Sequence, residues 1–313
     1  MTHYIGSGPY CYANSLAMVL GEAAPPPAVI EVLTGSPFGF ELIGGTLPLF
    51  DPYGWDPDLG LDAAIALLGV RCARTAGGTA EEAEERLREA SAQGPVLVGP
   101  VDMGLLLHQP GTPTADGGDH FVVVLEVEGG TVVFHDPQGH PCATLPVADF
   151  LAAWEAKAVG YVDAPYVMRA GFVRERKVTP EEALRRSLPD AERWLTGRGD
   201  RPVPPGTLGG AAGLEVLAAR AEGGLDAGVR GFLAHFAIRV GARRLADAAH
   251  CLDSLGLPEA AAVASGQARL VGGLQHPLVT GDDRALADGL RRLAPTYEQL
   301  RTALAGRARG PVG

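Results

Sequence analysis

Of the four cysteines and eight histidines in this 313-residue chain, Cys11 has the surroundings that could make a thiol reactive. It follows Gly6-Ser7-Gly8-Pro9-Tyr10 and opens a stretch where Tyr12, Leu16, Val19 and Leu20 recur at i, i+4, i+7 and i+8. That period predicts a helix beginning at the cysteine. A thiol there meets the positive end of the helix dipole and backbone N–H groups with no intrahelical partner, which favours the thiolate. The apolar stripe leaves Cys11, Ser15 and Met18 on another edge of the helix, so the thiol need not be buried. The plainer alternative is a small, inert core cysteine.

A thiol nucleophile needs a base beside it and a third group that orients the base. His120 stands in Gly117-Gly118-Asp119-His120, directly before a strand predicted at Phe121–Glu128. Gly129-Gly130 then turns the chain into Thr131–His135, which runs into Asp136-Pro137. In such a hairpin the start of one strand lies near the end of the next. Register decides whether His120 and Asp136 share a face. A two-residue loop pairs 128 with 131 and separates them. A three-residue loop with a left-handed glycine pairs 127 with 131. It then sets 122 opposite 136 and 120 opposite 138, making His120 and Asp136 diagonal neighbours roughly 7–8 Å apart at the backbone. The second register is the expected one. Cys11, His120 and Asp136 are therefore the candidate catalytic residues, with Gln138 as the alternative orienter.

The remaining candidates are weaker. His135 alternates with Asp136 and reads as structural. His140 and Cys142 lie in a Gly139/Pro141 turn whose spacing to His135 is unspecific for a metal, and neither metal nor cofactor is expected. His108, in a loop before Gly111, is a candidate to line the site. Cys72 and Cys251 read as packed thiols. No glycine-rich stretch is followed by Lys-Ser/Thr or forms GxGxxG, so no phosphate cradle is expected.

The elements that would position these groups fall into two kinds. Residues 36–60 read as a long irregular loop, Asp62–Leu68 and Ala80–Ala90 as helices, and Pro95–Val101, Phe121–Glu128 and Thr131–His135 as strands. Beyond Tyr166 the pattern is helical. Thr179-Pro180-Glu181-Glu182 has the form of a capping box with proline at the first helical position. Apolar stripes run through Leu225–Phe236 and Leu245–Leu255, and residues 198–210 read as a loop. Leu286, Leu290, Leu293, Tyr297, Leu300 and Leu304 repeat as a heptad seam would. That seam is read as packing inside an intramolecular bundle, with Pro295 kinking or ending the helix. The expected fold class is α+β: residues 1–165 form a catalytic domain and residues 166–313 an all-α domain.

Charge bounds the partners. The net charge is −11, with 5 Lys+Arg against 21 Asp+Glu in residues 1–165 and 21 against 16 in residues 166–313. The acidic first half makes nucleic acid an unexpected partner. No run of apolar residues is long enough for a membrane span. No basic-then-apolar segment opens the chain, so a cytoplasmic protein with reduced cysteines is expected. Arginine greatly outnumbers lysine beside abundant Ala, Gly and Pro, which suggests a high-GC bacterial source.

Tyr10-Cys11-Tyr12-Ala13-Asn14-Ser15-Leu16, Pro95–Val101 with Asp102, Asp119-His120-Phe121-Val122-Val123-Val124 and Phe134-His135-Asp136-Pro137 together resemble the N-terminal domain of the butirosin biosynthesis protein H family. The helical half resembles the uncharacterised domain that often follows it there. The resemblance implies a papain-like fold and a Cys–His–Asp site that takes an acyl group from a carrier-protein thioester and joins it to an amine, in antibiotic biosynthesis. Cys11 would be acylated, His120 would act as base and then acid, and Asp136 would hold the imidazole. A wider relative is the cysteine peptidase that clips double-glycine leaders, so a peptidase or amidase is the alternative. A catalytically silent binding module is a third reading, opposed by the presence of both thiol and base. Two departures stand out. Gly6, Ser7 and Gly8 occupy the place of the usual oxyanion glutamine, and Met103-Gly104-Leu105-Leu106-Leu107 replaces an aromatic-rich segment. The charge pattern adds an expectation about substrates: a cationic amine meets Asp102 and Asp119, while Arg174, Arg176, Lys177 and the pairs Arg185–Arg186, Arg243–Arg244 and Arg291–Arg292 dock an acidic carrier protein.

Overall fold

The computed structural model describes residues 9–110, 113–197 and 200–306. Its strands in chain order are β1 (Glu41–Ile43), β2 (Leu47–Leu49), β3 (Val70–Thr75), β4 (Val96–Asp102), β5 (Asp119–Glu128), β6 (Thr131–Asp136), β7 (His140–Pro146), β8 (Met168–Arg174) and β9 (Leu208–Gly209). The architecture is mixed, with a sheet-bearing N-terminal region and a helical C-terminal region. The chain divides into two units, but not at residue 165. Unit 1 comprises residues 1–30 and 68–177, and unit 2 comprises 31–67 and 178–313.

Unit 1 is built on a six-stranded antiparallel sheet in the order β3-β8-β4-β5-β6-β7. Side chains alternate across it, as the pleat requires. Val96, Val98, Val122, Val124 and Phe134 pack in one cluster with the helices Ala80–Ser91 and Val147–Trp154. Phe121, of opposite parity, meets Tyr12 of the helix Cys11–Leu20 (α1) edge to face at 6.0 Å. Three strands lie where the sequence pattern gave no strand. β8 (MRAGFVR) alternates poorly and β3 is largely exposed, while β7 carries Pro141 and a left-handed Cys142.

Unit 2 surrounds a small three-stranded sheet, β2-β1-β9, with helices. Residues 36–60 are therefore not one irregular loop. They hold the β1–β2 hairpin and the start of the helix Pro57–Leu67, and Ser36–Leu42 is buried throughout. The cause is packing: Phe40, Leu42 and Phe50 join a core with Leu214, Leu217, Leu245, Leu286, Leu290 and Tyr297. The seam residues Leu286 to Leu304 are all buried, and the helix breaks between Leu293 and Thr296, where Pro295 stands. Thr179 caps the helix Pro180–Thr196 by accepting from the Glu182 N–H.

The division also redistributes charge. Unit 1 carries 9 Lys+Arg against 16 Asp+Glu, net −7, and unit 2 carries 17 against 21, net −4. The basic second half is thus a feature of the linear sequence and not of a folded unit. Arg244 is buried, donating to Glu31 at 2.8 Å and Asp51 at 3.1 Å beneath the Trp55 ring. Arg185, Arg243 and Arg291 pair with Glu181, Asp247 and Glu222. These arginines are engaged within their own unit. Among the described residues no single helix is long and apolar enough to cross a membrane.

Candidate active site

α1 begins at Cys11, as its apolar period predicts, and leaves the thiol half-buried. Its first i to i−4 bond runs from the Asn14 N–H to the Tyr10 carbonyl at 2.8 Å, so the amides of Cys11, Tyr12 and Ala13 precede the ladder. Tyr10 sits in the left-handed region at φ 82°, ψ 46°, with its side chain buried. A non-glycine residue there costs about 1–3 kcal/mol, held by its surroundings. The helix is pinned to β5 next to the candidate base, because Ser15 Oγ donates to the Phe121 carbonyl at 3.1 Å.

The register at the site is the expected one, reached by another route. The Gly129-Gly130 loop has two residues, both at positive φ (57° and 79°), and pairs 128 with 131. A bulge at Leu125 then shifts the pairing by one, so that Val124 faces Phe134 and Val123 faces His135. One extra residue in β5 thereby does what a longer loop would have done. On β4, Gly99 leaves room for this geometry: at φ 152°, an added Cβ would lie 2.5 Å from the Phe121 ring and 2.9 Å from the His120 carbonyl.

His120 and Asp136 are both buried, and His120 Nε2 lies 2.7 Å from Asp136 Oδ1. The Cys11 thiol lies near enough to the imidazole to favour its protonated form. Since Nε2 serves the carboxylate, Nδ1 is the nitrogen left for sulfur. Asp136 accepts three further bonds: from the Gln138 backbone N–H on Oδ1 (2.8 Å), and from His108 Nε2 (2.8 Å) and Gln109 Nε2 (2.6 Å) on Oδ2. Burial alone would raise the Asp136 pKa. The bonds from His108 and His120, the charge of His120 and the Gln138 N–H instead hold it well below the usual carboxylate range. Asp136 is therefore ionised and acceptor-only, and both histidines donate to it. For His120, burial is the largest influence and opposes protonation. Hydrogen bonds to Asp136 and Cys11 and the negative charges of both outweigh it together and lift the pKa to about 10. The arrangement can hold an imidazolium beside sulfur, the state in which a thiol is primed for attack on an acyl carbon.

The other sequence candidates are placed as follows. Gln138 contributes its backbone N–H to Asp136, while its side chain reaches the Met103 sulfur at 3.6 Å and does not orient His120. Asp102 is buried and accepts from the backbone N–H groups of Gly104, Asp116 and Gly117 at 3.0–3.3 Å. Its carboxylate organises the loop after β4 and is not available to meet an amine. Asp119 accepts from the Tyr161 hydroxyl at 2.9 Å and remains half-buried. His135 is buried and its Nδ1 accepts from the Cys142 N–H at 3.0 Å, a structural role. Among the described residues no group of His, Cys, Asp and Glu is arranged to hold a metal. Gly6, Ser7 and Gly8, the neighbours considered for the oxyanion site, lie outside the described residues. Sequence reasoning missed Gln109 and Ser15, and placed His108 only as a lining residue. None of the three sits in a periodic pattern that would reveal its bond.

Comparison with known proteins places residues 204–305 in a match to the YobF C-terminal domain. The chain is also 33% identical over 172 residues to a Bacillus subtilis (strain 168) protein described as "Uncharacterized protein YobF", covering 51% of this chain and 53% of that one. The chain thus spans about half the length of the curated relative it matches.

Proposed function

We propose that unit 1 is a papain-like, thiol-dependent acyltransferase with Cys11 as nucleophile, His120 as base and then acid, and Asp136 as the group that holds the imidazole. The observation that carries this reading is the buried His120–Asp136 hydrogen bond at 2.7 Å, with the half-buried Cys11 thiol at the start of α1 near enough to favour the protonated imidazole. The Cys11 sulfur attacks the carbonyl of an acyl thioester. The donor's C–S bond breaks, and its thiol leaves with the proton held by His120. An amine then attacks the Cys11 thioester, His120 takes the proton lost by the amine, and the Cys11 sulfur is released as the amide forms. In this reading the Cys11 backbone N–H, which precedes the helix ladder, receives the developing oxyanion together with a second donor. An acyl carrier protein as donor and a cationic amine as acceptor, in antibiotic biosynthesis, rest on the butirosin-type resemblance alone. Hydrolysis by a peptidase or amidase uses the same acyl-enzyme and differs only in water as acceptor.

Incubation with a small acyl thioester, followed by intact and peptide mass spectrometry, tests the proposal. The expected result is one acyl group on Cys11, none in Cys11→Ala, and release as an amide when a primary amine is added. Release only as free acid assigns the hydrolase. Absence of an adduct on Cys11 from any acyl thioester removes the reading.

A further inference from the structure

A Cys–His–Asp mechanism asks one hydrogen bond of its carboxylate, yet Asp136 accepts four. Two come from adjacent residues of the loop after β4. A turn closed by the Gln109 N–H on the Leu106 carbonyl (3.0 Å), with Leu106 buried, brings the His108 and Gln109 side chains to the same oxygen, Oδ2. An ionised carboxylate has about four lone-pair positions, so the set is complete and the carboxylate cannot rotate without losing bonds. Only the Oδ1 side faces His120. The His108 side chain is only 7% exposed, and among the described residues its Nδ1 has no hydrogen-bond partner, which leaves the bond to Asp136 as its directional tether. The ring also packs edge-on against Phe134 at 4.9 Å and His140 at 5.2 Å.

We infer that His108, seconded by Gln109, is a positioning residue: its Nε2–H locks the Asp136 carboxylate in the rotamer that aligns His120 with Cys11. This inference rests on the proposed reading of Cys11 as a nucleophile. Geometry of this kind is worth much to a reaction whose partners must be aligned, since a displacement of about 1 Å can cost on the order of 100-fold.

Two substitutions separate the bond from the packing. His108→Phe keeps an aromatic edge on Phe134 and removes the donor, whereas His108→Gln keeps a donor near the Nε2 position and removes the ring. The readouts are the second-order rate of Cys11 alkylation by iodoacetamide, kcat and KM with a small acyl thioester, and the melting temperature. The expected outcome is a kcat loss of about 10- to 100-fold in His108→Phe with KM little changed, and recovery to within a few-fold of wild type in His108→Gln. A ring that merely fills space gives the reverse order, with His108→Gln the poorer variant. That order, or wild-type rates in His108→Phe, overturns the inference. If wild type itself shows neither alkylation nor acylation at Cys11, the nucleophile reading fails instead. If His108→Phe melts far below wild type, Gln109→Met, which removes the second donor, against Gln109→His, which keeps one, provides the same comparison, and equal rates in that pair and wild type overturn it.

Discussion

Asp136→Ala should be the most damaging single change in unit 1, lowering its stability by about 3–5 kcal/mol. The reason is what it strands. Removing the carboxylate leaves the His120 imidazolium, the His108 and Gln109 side-chain donors and a backbone N–H in a buried space with no acceptor. Asp136→Asn preserves volume but turns an NH2 toward part of a ring of donors. It should fold with a smaller penalty and lose acyl transfer by about 10³- to 10⁴-fold, because the imidazole is then held in the wrong protonation state. Urea unfolding of each variant, beside acylation kinetics of Asp136→Asn, measures both effects. A wild-type unfolding midpoint for Asp136→Ala would mean that the four bonds do not form in solution.

Acyl transfer should fall on the alkaline side with an apparent pKa of about 10, set by the His120 imidazolium. Above that pH the imidazole has no proton to give the departing thiol. Iodoacetamide alkylation needs no acid and should not fall there, so the two profiles part at high pH. In Asp136→Asn the alkaline limb should move down toward the ordinary histidine range near 6.5, since one of the influences raising it is gone. Stability follows the same groups. His120 has its folded pKa raised, so its contribution is fully present below about 6.5, declines as pH rises, and is lost through about 10. Asp136 has its folded pKa lowered, so its contribution is present above about 3.8 and is lost only as pH falls well below that. Stability of unit 1 should therefore be highest between roughly pH 4 and 6.5 as far as this pair governs it. Parallel rate–pH profiles for transfer and alkylation, and a melting-temperature series over the same range, provide the check. A transfer limb at pH 7 in wild type would place the proton elsewhere.

The parts of the site that were legible in the sequence are those that short-range pattern encodes. The start of α1 at Cys11 follows from one apolar stripe, and the β5–β6 hairpin follows from valine-rich runs around Gly129-Gly130. The bulge at Leu125 was not legible, since an inserted residue at the end of the apolar run Phe121–Leu125 leaves no break in pattern. β8 pairs with β3 and β4, strands far from it in sequence, and its own residues alternate weakly. Residues 31–67 belong with the helical unit because Phe40, Leu42 and Phe50 find their core there. No local period announces such a long-range choice. The same displacement shifts the charge totals, because a sum over sequence halves is not a sum over folded units. The His108 and Gln109 bonds depend on a loop turn that returns them to a distant carboxylate, and loop residues carry no periodic signal.

Competitive alkylation of the four cysteines in the native protein tests the central claim most directly. Cys72, Cys142 and Cys251 serve as internal controls: Cys72 is half-buried, Cys142 exposed and Cys251 buried. For Cys251, burial and the nearby Asp247 push the thiol up to about 11. Sub-stoichiometric iodoacetamide at pH 6, quenched and mapped by peptide mass spectrometry, should place the label on Cys11 in preference to the more exposed Cys142, and His120→Ala should abolish that preference. Preferential labelling of Cys142, unchanged by His120→Ala, would contradict the account.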